Sequence, residues 1–288
     1  YLFGGAGMLM LSFTLIALKF GLESFSPITM SLGRVFPAAI VAIIALRISG
    51  APLLPPKQDV VRVLGLTIGV VIAFPLITSY GLEHITPGQA GVLGALGPII
   101  TAALSVLYGH KHPGRIFWIA SSMGTAAAIG FALTRSADNP GHGDLLWYGL
   151  MLLAVVLWCW GQVTGGTLTG KHHSIQILAW AILLGTPLNA IGAGIELWLN
   201  PITEWPTMNA WFGFLYVSLV SMFLVFFVWY AAMDRIGMVK TSQLQLVQPI
   251  ITLVISIWLF GEVVAPSTWV FAVLIMAAVA WTQSIRRK

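Results

Sequence analysis

Pro98-Ile99-Ile100-Thr101 recurs in the chain as Pro249-Ile250-Ile251-Thr252, and Ser105 stands as far beyond the first copy as Ser256 stands beyond the second. Upstream, Tyr80 aligns with Tyr230 if one residue is inserted in the intervening turn. Each copy lies in an apolar run long enough to cross a bilayer, the fourth and the ninth such run in the sequence. The chain therefore reads as two halves of five spans, residues 1–134 and 145–288. Five is odd, so the second half must cross the membrane in the opposite sense to the first.

The composition leaves little room for another class. Of 288 residues, 58% are hydrophobic and 8% charged, and the mean hydropathy is +0.92. A soluble domain carries about 25% charged residues. So much apolar surface excludes a nucleic-acid binder, a secreted disulfide scaffold and a disordered chain. The single cysteine, Cys159, excludes an intramolecular disulfide and a thiolate metal cluster. No charged segment followed by a short apolar stretch and a cleavage site reads as a removable leader.

A bilayer core of about 30 Å needs roughly 20 apolar residues per helix. Such runs cover residues 1–19, 27–46, 63–82, 88–108, 116–134, 145–164, 175–197, 210–232, 239–260 and 269–285. Ser26-Pro27 and Thr86-Pro87 each place a capping residue before a proline at the first helical position. The expected fold is an all-α integral membrane protein of ten transmembrane helices, built as two inverted five-helix repeats.

The charges give the orientation. Eleven of the fourteen Lys and Arg residues fall on the side that carries both termini, Lys19 and Arg135 on the other, and Arg34 within the second span. Both termini are then cytoplasmic. The connection between spans two and three carries Arg47, Lys57 and Arg62, while its counterpart between seven and eight carries Glu196 and Glu204. The turn after span three holds Glu83; the turn after span eight holds Arg235 and Lys240. Equivalent connections thus have opposite charge, as an inverted repeat requires, and that architecture belongs to secondary transporters with a midplane site between the halves.

The chain resembles the EamA-type carriers of the drug/metabolite transporter superfamily over nearly its whole length. The resemblance rests on Leu18-Lys19-Phe20-Gly21-Leu22 with Phe25-Ser26-Pro27, on Arg34 before an alanine-rich helix, and on the Pro249 helix ending in Gly261-Glu262. Gly109-His110 departs from it, standing where a Gly-Glu pair is common in the family. Within the superfamily the chain looks most like the YddG-type exporters of aromatic amino acids. The resemblance implies a structural role for Arg34, since an arginine here recurs among carriers of unlike substrates.

Thr241, Gln245, Gln248 and Thr252 follow helical spacing along one face of span nine, while the equivalent face of span four reads Ala90, Gly94, Gly97 and Thr101. The pattern points to an asymmetric polar cavity; the competing reading is hydrogen-bonded glue between helices. Pro98 and Pro249, with Gly94 and Gly97 nearby, are candidate kinks for gating helices. Trp158, with Gln162 one turn on, and Tyr80, beside Thr78 and Ser79, are candidates to stack on an aromatic substrate. Trp147, Tyr148, Trp198, Trp211 and Trp269 are expected at the membrane interface. Arg34 is the one charged residue well inside a span, and its natural partner is a substrate carboxylate. Asn189, beside Pro187, is a weaker polar candidate.

These features predict an inner-membrane exporter of amino acids, aromatic or otherwise apolar, and of related small metabolites, working by alternating access. A broad drug or metabolite efflux carrier is the alternative. No carboxylate or histidine relay lies deep in a span, so transport is expected to run downhill or with loose coupling. No catalytic constellation, phosphate-binding loop, metal site or cofactor motif is legible. The expected partners are a small-molecule substrate and the lipid bilayer, not nucleic acid. Spans five and ten, apolar all round, are compatible with a monomer or a homodimer.

Overall fold

The computed structural model describes residues 2–94, 96–108, 115, 118–119, 122–124, 126–127, 130, 145–228, 248–261 and 265–285. Thr241 and Gln245, with Tyr230 and most of the fifth apolar run, lie outside the described residues. The described helices are α1 (Leu2–Gly21), α2 (Thr29–Ile48), α3 (Lys57–His84), α4 (Pro87–Gly94), α5 (Gly97–Leu107), α6 (Leu145–Gly166), α7 (Ser174–Leu199), α8 (Met208–Val228), α9 (Gln248–Phe260) and α10 (Pro266–Ile285). Among the described residues there is no β-strand, only an isolated bridge between Thr169 and His172. Five helices, α2, α3, α6, α7 and α8, are long and apolar enough to cross a membrane, and shorter apolar helices accompany them.

Both predicted helix starts are capped. The Thr29 backbone N–H donates to Ser26 Oγ at 3.2 Å. Thr86 and Gln89 cap reciprocally: the Gln89 N–H donates to Thr86 Oγ1 at 3.3 Å and the Thr86 N–H to Gln89 Oε1 at 3.1 Å. The fourth apolar run is broken. α4 ends at Gly94 and α5 begins at Gly97, with the Leu96 N–H turning back to the Leu93 carbonyl at 3.1 Å. A proline one residue into α5 has no N–H to carry the α-helical ladder across this point.

Packing runs between the two halves of the sequence. α1 lies against α8 and α9, α2 against α7 and α8, α3 against α6 and α7, and α4 against α9. Small residues allow the closest approaches. A Cβ on Gly213 of α8 would collide with the Ala17 carbonyl of α1 and lie 2.6 Å from the Gly21 nitrogen. One buried cluster gathers Leu18, Phe25, Leu82, Leu93, Tyr148 and Met151; a second gathers Val35, Leu46, Leu66, Trp180, Ile182 and Met222. Tyr148 is thus a core residue, because its neighbours on α6 pack inward there. Trp147 stacks face to face on His84 with ring centroids 3.8 Å apart, whereas Trp198 projects outward as an interface residue would.

Among the described residues three stretches are π-helical: Thr29–Gly33 in α2, Thr67–Ala73 in α3 and Tyr216–Leu224 in α8. Wide turns of this kind are rare and concentrate at functional sites. The latter two supply part of the wall of the cavity described next.

Candidate functional site

A cavity of about 110 Å³ lies among α1, α2, α3, α4, α6, α7, α8 and α9, several times what one water requires. Its wall is mainly apolar. Leu11, Val71, Phe74, Val155, Leu178 and Phe226 set its body, and Met151 and Met222 contribute flexible thioethers. Trp158 also lines it, its ring tilted against Phe74 at 6.0 Å.

The polar contribution is small and unequal. Arg34 lines the cavity and is 6% exposed. Its Nε is buried without a hydrogen-bond partner, and among the described residues no carboxylate comes within ion-pairing distance of the guanidinium. Arg34 follows the π-helical turn of α2, which ends at Gly33. Across the cavity, Thr14 Oγ1 donates to Ser221 Oγ at 3.0 Å, joining α1 to the π-helical stretch of α8. Gln248 of α9 adds to the polar lining. A buried, uncompensated cation facing an apolar cavity is suited to an anionic group on an otherwise apolar molecule.

The predicted residues divide accordingly. Arg34, Trp158, Gln248 and Gly94 meet at the cavity. Tyr80 is 36% exposed on α3 and does not line it. Asn189 is buried in α7, its Nδ2 donating to the Gly185 carbonyl at 2.7 Å and its Oδ1 left without a partner. Gln162 is half-buried one turn beyond Trp158, also away from the lining. Gly97 lies behind the wall: its carbonyl accepts from Cys159 Sγ at 3.3 Å, and a Cβ there would lie 3.5 Å from the Trp158 ring. Pro98 and Pro249 fall one residue inside α5 and α9. Thr252 serves as helix glue, its Oγ1 donating to the Ser12 carbonyl at 3.0 Å. Thr14 and Ser221 were not singled out from the sequence, since a lone hydroxyl in an apolar run usually bonds its own helix.

Comparison with known proteins agrees with this architecture. A family model described as the EamA-like transporter family matches residues 1–133 and 145–283. The chain is 30% identical to the uncharacterized transporter YdeK of Bacillus subtilis (strain 168), over 99% of this chain and 96% of that protein. It is 22% identical to the uncharacterized inner membrane transporter YedA of Escherichia coli (strain K12), over 92% and 84%. It is 25% identical to the "Probable terminal-alkyne amino-acid exporter" of Streptantibioticus cattleyicolor, over 91% and 86%. A chain in a solved crystal structure shares the fold with a TM-score of 0.69, at 16% identity, covering 100% of this chain and 98% of that one. The chain belongs to the EamA-like transporter family.

Proposed function

We propose that this transporter exports small carboxylate-bearing metabolites with an apolar or aromatic body, amino acids of that kind among them, across the plasma membrane. The observation that carries the reading is Arg34, a buried guanidinium with no counter-charge among the described residues, in an apolar cavity beside Trp158 and Phe74. The carboxylate meets Arg34, the body packs against the rings and methionines, and Gln248 and Ser221 offer uncharged hydrogen bonds.

The architecture we propose is ten spans in two inverted halves, with both termini in the cytoplasm and the halves rocking about the cavity. The packing partners support it. Under such a repeat α2 and α7 are equivalent helices, α5 and α9 likewise, and the α3–α6 contact is the counterpart of the α8–α1 contact. The π-helical stretches of α3 and α8 centre on Val70 and Val220, separated by the same interval as Tyr80 and Tyr230. The charge asymmetry of the connections and the inner-membrane location of YedA support the placement.

Counterflow in proteoliposomes tests the function, with labelled tryptophan, phenylalanine, threonine and a cationic drug. Amino-acid exchange that Arg34→Gln abolishes and Trp158→Ala weakens, without loss of folded protein, is expected. Flux of the cationic drug alone would favour a broad efflux carrier, a reading that the adaptable Met151 and Met222 lining keeps open. Carriage that is independent of an imposed proton gradient is expected; accumulation driven by that gradient would remove the downhill mechanism.

A further inference from the structure

We infer that the cavity takes its substrate as a net monoanion, so that a deaminated aromatic or apolar acid is carried in preference to the zwitterionic amino acid of the same shape. The inference rests on the Arg34 cavity being the transport site. Its basis is a charge balance that the structure and the full sequence give together. The cavity contributes one formal positive charge, Arg34, with no described carboxylate paired to it. Among the described residues nothing negative lines the cavity to meet an ammonium group.

Five of the nine acidic residues are described, and the other four are located by their position in the sequence. Glu23, Glu83 and Glu204 are exposed. Asp59 is engaged by His172 and Arg62. Glu196 lies one turn from the end of α7, where Asn200 Nδ2 donates to it at 3.4 Å. Asp138, Asp144, Asp234 and Glu262 stand in the sequence outside the apolar runs or just past their ends. Residues 239–247, which precede α9, contain Lys240 and no acid.

A carboxylate entering this cavity neutralises a buried cation that already bears the desolvation penalty. An ammonium entering with it brings a second buried charge and finds, among the described polar side chains, the neutral oxygens of Gln248, Ser221 and Thr14. Neutral acceptors compensate a buried cation less well than a carboxylate does. The zwitterion therefore binds less tightly than the anion of equal bulk, and a cationic amine least of all.

The same balance supplies a driving force. A monoanion moving outward is pushed by an inside-negative potential, and about 100 mV corresponds to roughly a fiftyfold equilibrium ratio for one charge. No proton relay is needed for such export, and the spans contain none.

The test uses three probes with one aromatic body: phenylpyruvate, phenylalanine and phenethylamine, in proteoliposomes of the full chain. Phenylpyruvate is expected to half-saturate counterflow at a concentration on the order of tenfold below phenylalanine, with phenethylamine weaker still. A potassium diffusion potential is expected to shift the equilibrium distribution of phenylpyruvate and leave that of phenylalanine unchanged. Arg34→Lys retains the order of the three probes, and Arg34→Gln loses it. Phenylalanine carried as well as phenylpyruvate by the wild-type protein would overturn the inference and leave the site standing. So would a phenylpyruvate distribution that ignores the potential. Retention of the order in a folded Arg34→Gln protein would overturn the role of Arg34, and exchange of none of the probes would overturn the site and the inference together.

Discussion

Gly69 of α3 and Gly161 of α6 meet backbone to backbone: a Cβ on Gly161 would lie 3.2 Å from the Gly69 Cα, and a Cβ on Gly69 would lie 2.9 Å from the Gly161 Cα. The contact falls within the π-helical stretch of α3, so the wide turn and the glycine pair together bring two helices from opposite halves into register. Gly161→Ala is expected to force them apart and destabilise the fold by about 1–3 kcal/mol, as overpacking does. Thermal unfolding in detergent would check this. A variant as stable as the wild type would mean that the α3–α6 contact yields freely.

Elsewhere, His172 Nε2 lies 2.9 Å from Asp59 Oδ2, and Asp59 is 1% exposed. Arg62 Nη1 is 3.7 Å from the other carboxylate oxygen. Trp180 holds the neighbourhood, its Nε1 donating to the Pro52 carbonyl at 2.8 Å and its ring meeting His172 edge-on at 5.0 Å. Asp59→Ala is expected to cost about 1–3 kcal/mol because it removes a buried carboxylate and leaves the half-buried His172 without its partner. A double-mutant cycle with His172→Ala should return a coupling of about 0.5–3 kcal/mol. Additive single effects would show that the two side chains do not support each other.

Much of the fold was legible because a bilayer imposes helix length and apolar composition on the sequence itself. The helix starts at Ser26-Pro27 and Thr86-Pro87, the break ahead of Pro98 and the buried position of Arg34 all follow from such local rules. The site was legible only in part. Charge singled out Arg34, and spacing singled out Gln248. Tyr80 and Asn189 carry the same polar signature, yet they lie off the cavity because a helix face cannot be oriented without its neighbours. Thr14 and Ser221 carried no signal, since their hydroxyls acquire meaning only when α1 and α8 pack. The π-helical turns, which aim Val70, Val71, Ser221 and Met222 at the cavity, have no sequence signature at all.

Tyr80→Phe and Gln162→Ala should therefore leave counterflow within about twofold of wild type, whereas Trp158→Ala should weaken an aromatic substrate by roughly two- to twelvefold. That range corresponds to a ring contact of about 0.5–1.5 kcal/mol. Concentration dependence of phenylalanine exchange would separate them. Loss of exchange in Tyr80→Phe with Trp158→Ala unaffected would relocate the aromatic contact to the exposed face of α3.

Gly94 offers a graded test of the cavity itself. It lines the space, and a Cβ built there meets nothing within 4 Å. Alanine at this position removes the flexibility of glycine in a helix, a gain of up to about 1 kcal/mol, so Gly94→Ala should be at least as stable as wild type. Larger side chains have room to enter the cavity and take volume from the substrate. Across Gly94→Ala, Gly94→Val and Gly94→Leu, tryptophan exchange should fall first and phenylalanine next, with threonine the least affected. All three proteins should remain folded by thermal unfolding. A uniform loss for every substrate, with stability intact, would point to a gate at the Gly94–Gly97 break in place of a steric wall. Undiminished tryptophan exchange in Gly94→Leu would place the substrate elsewhere.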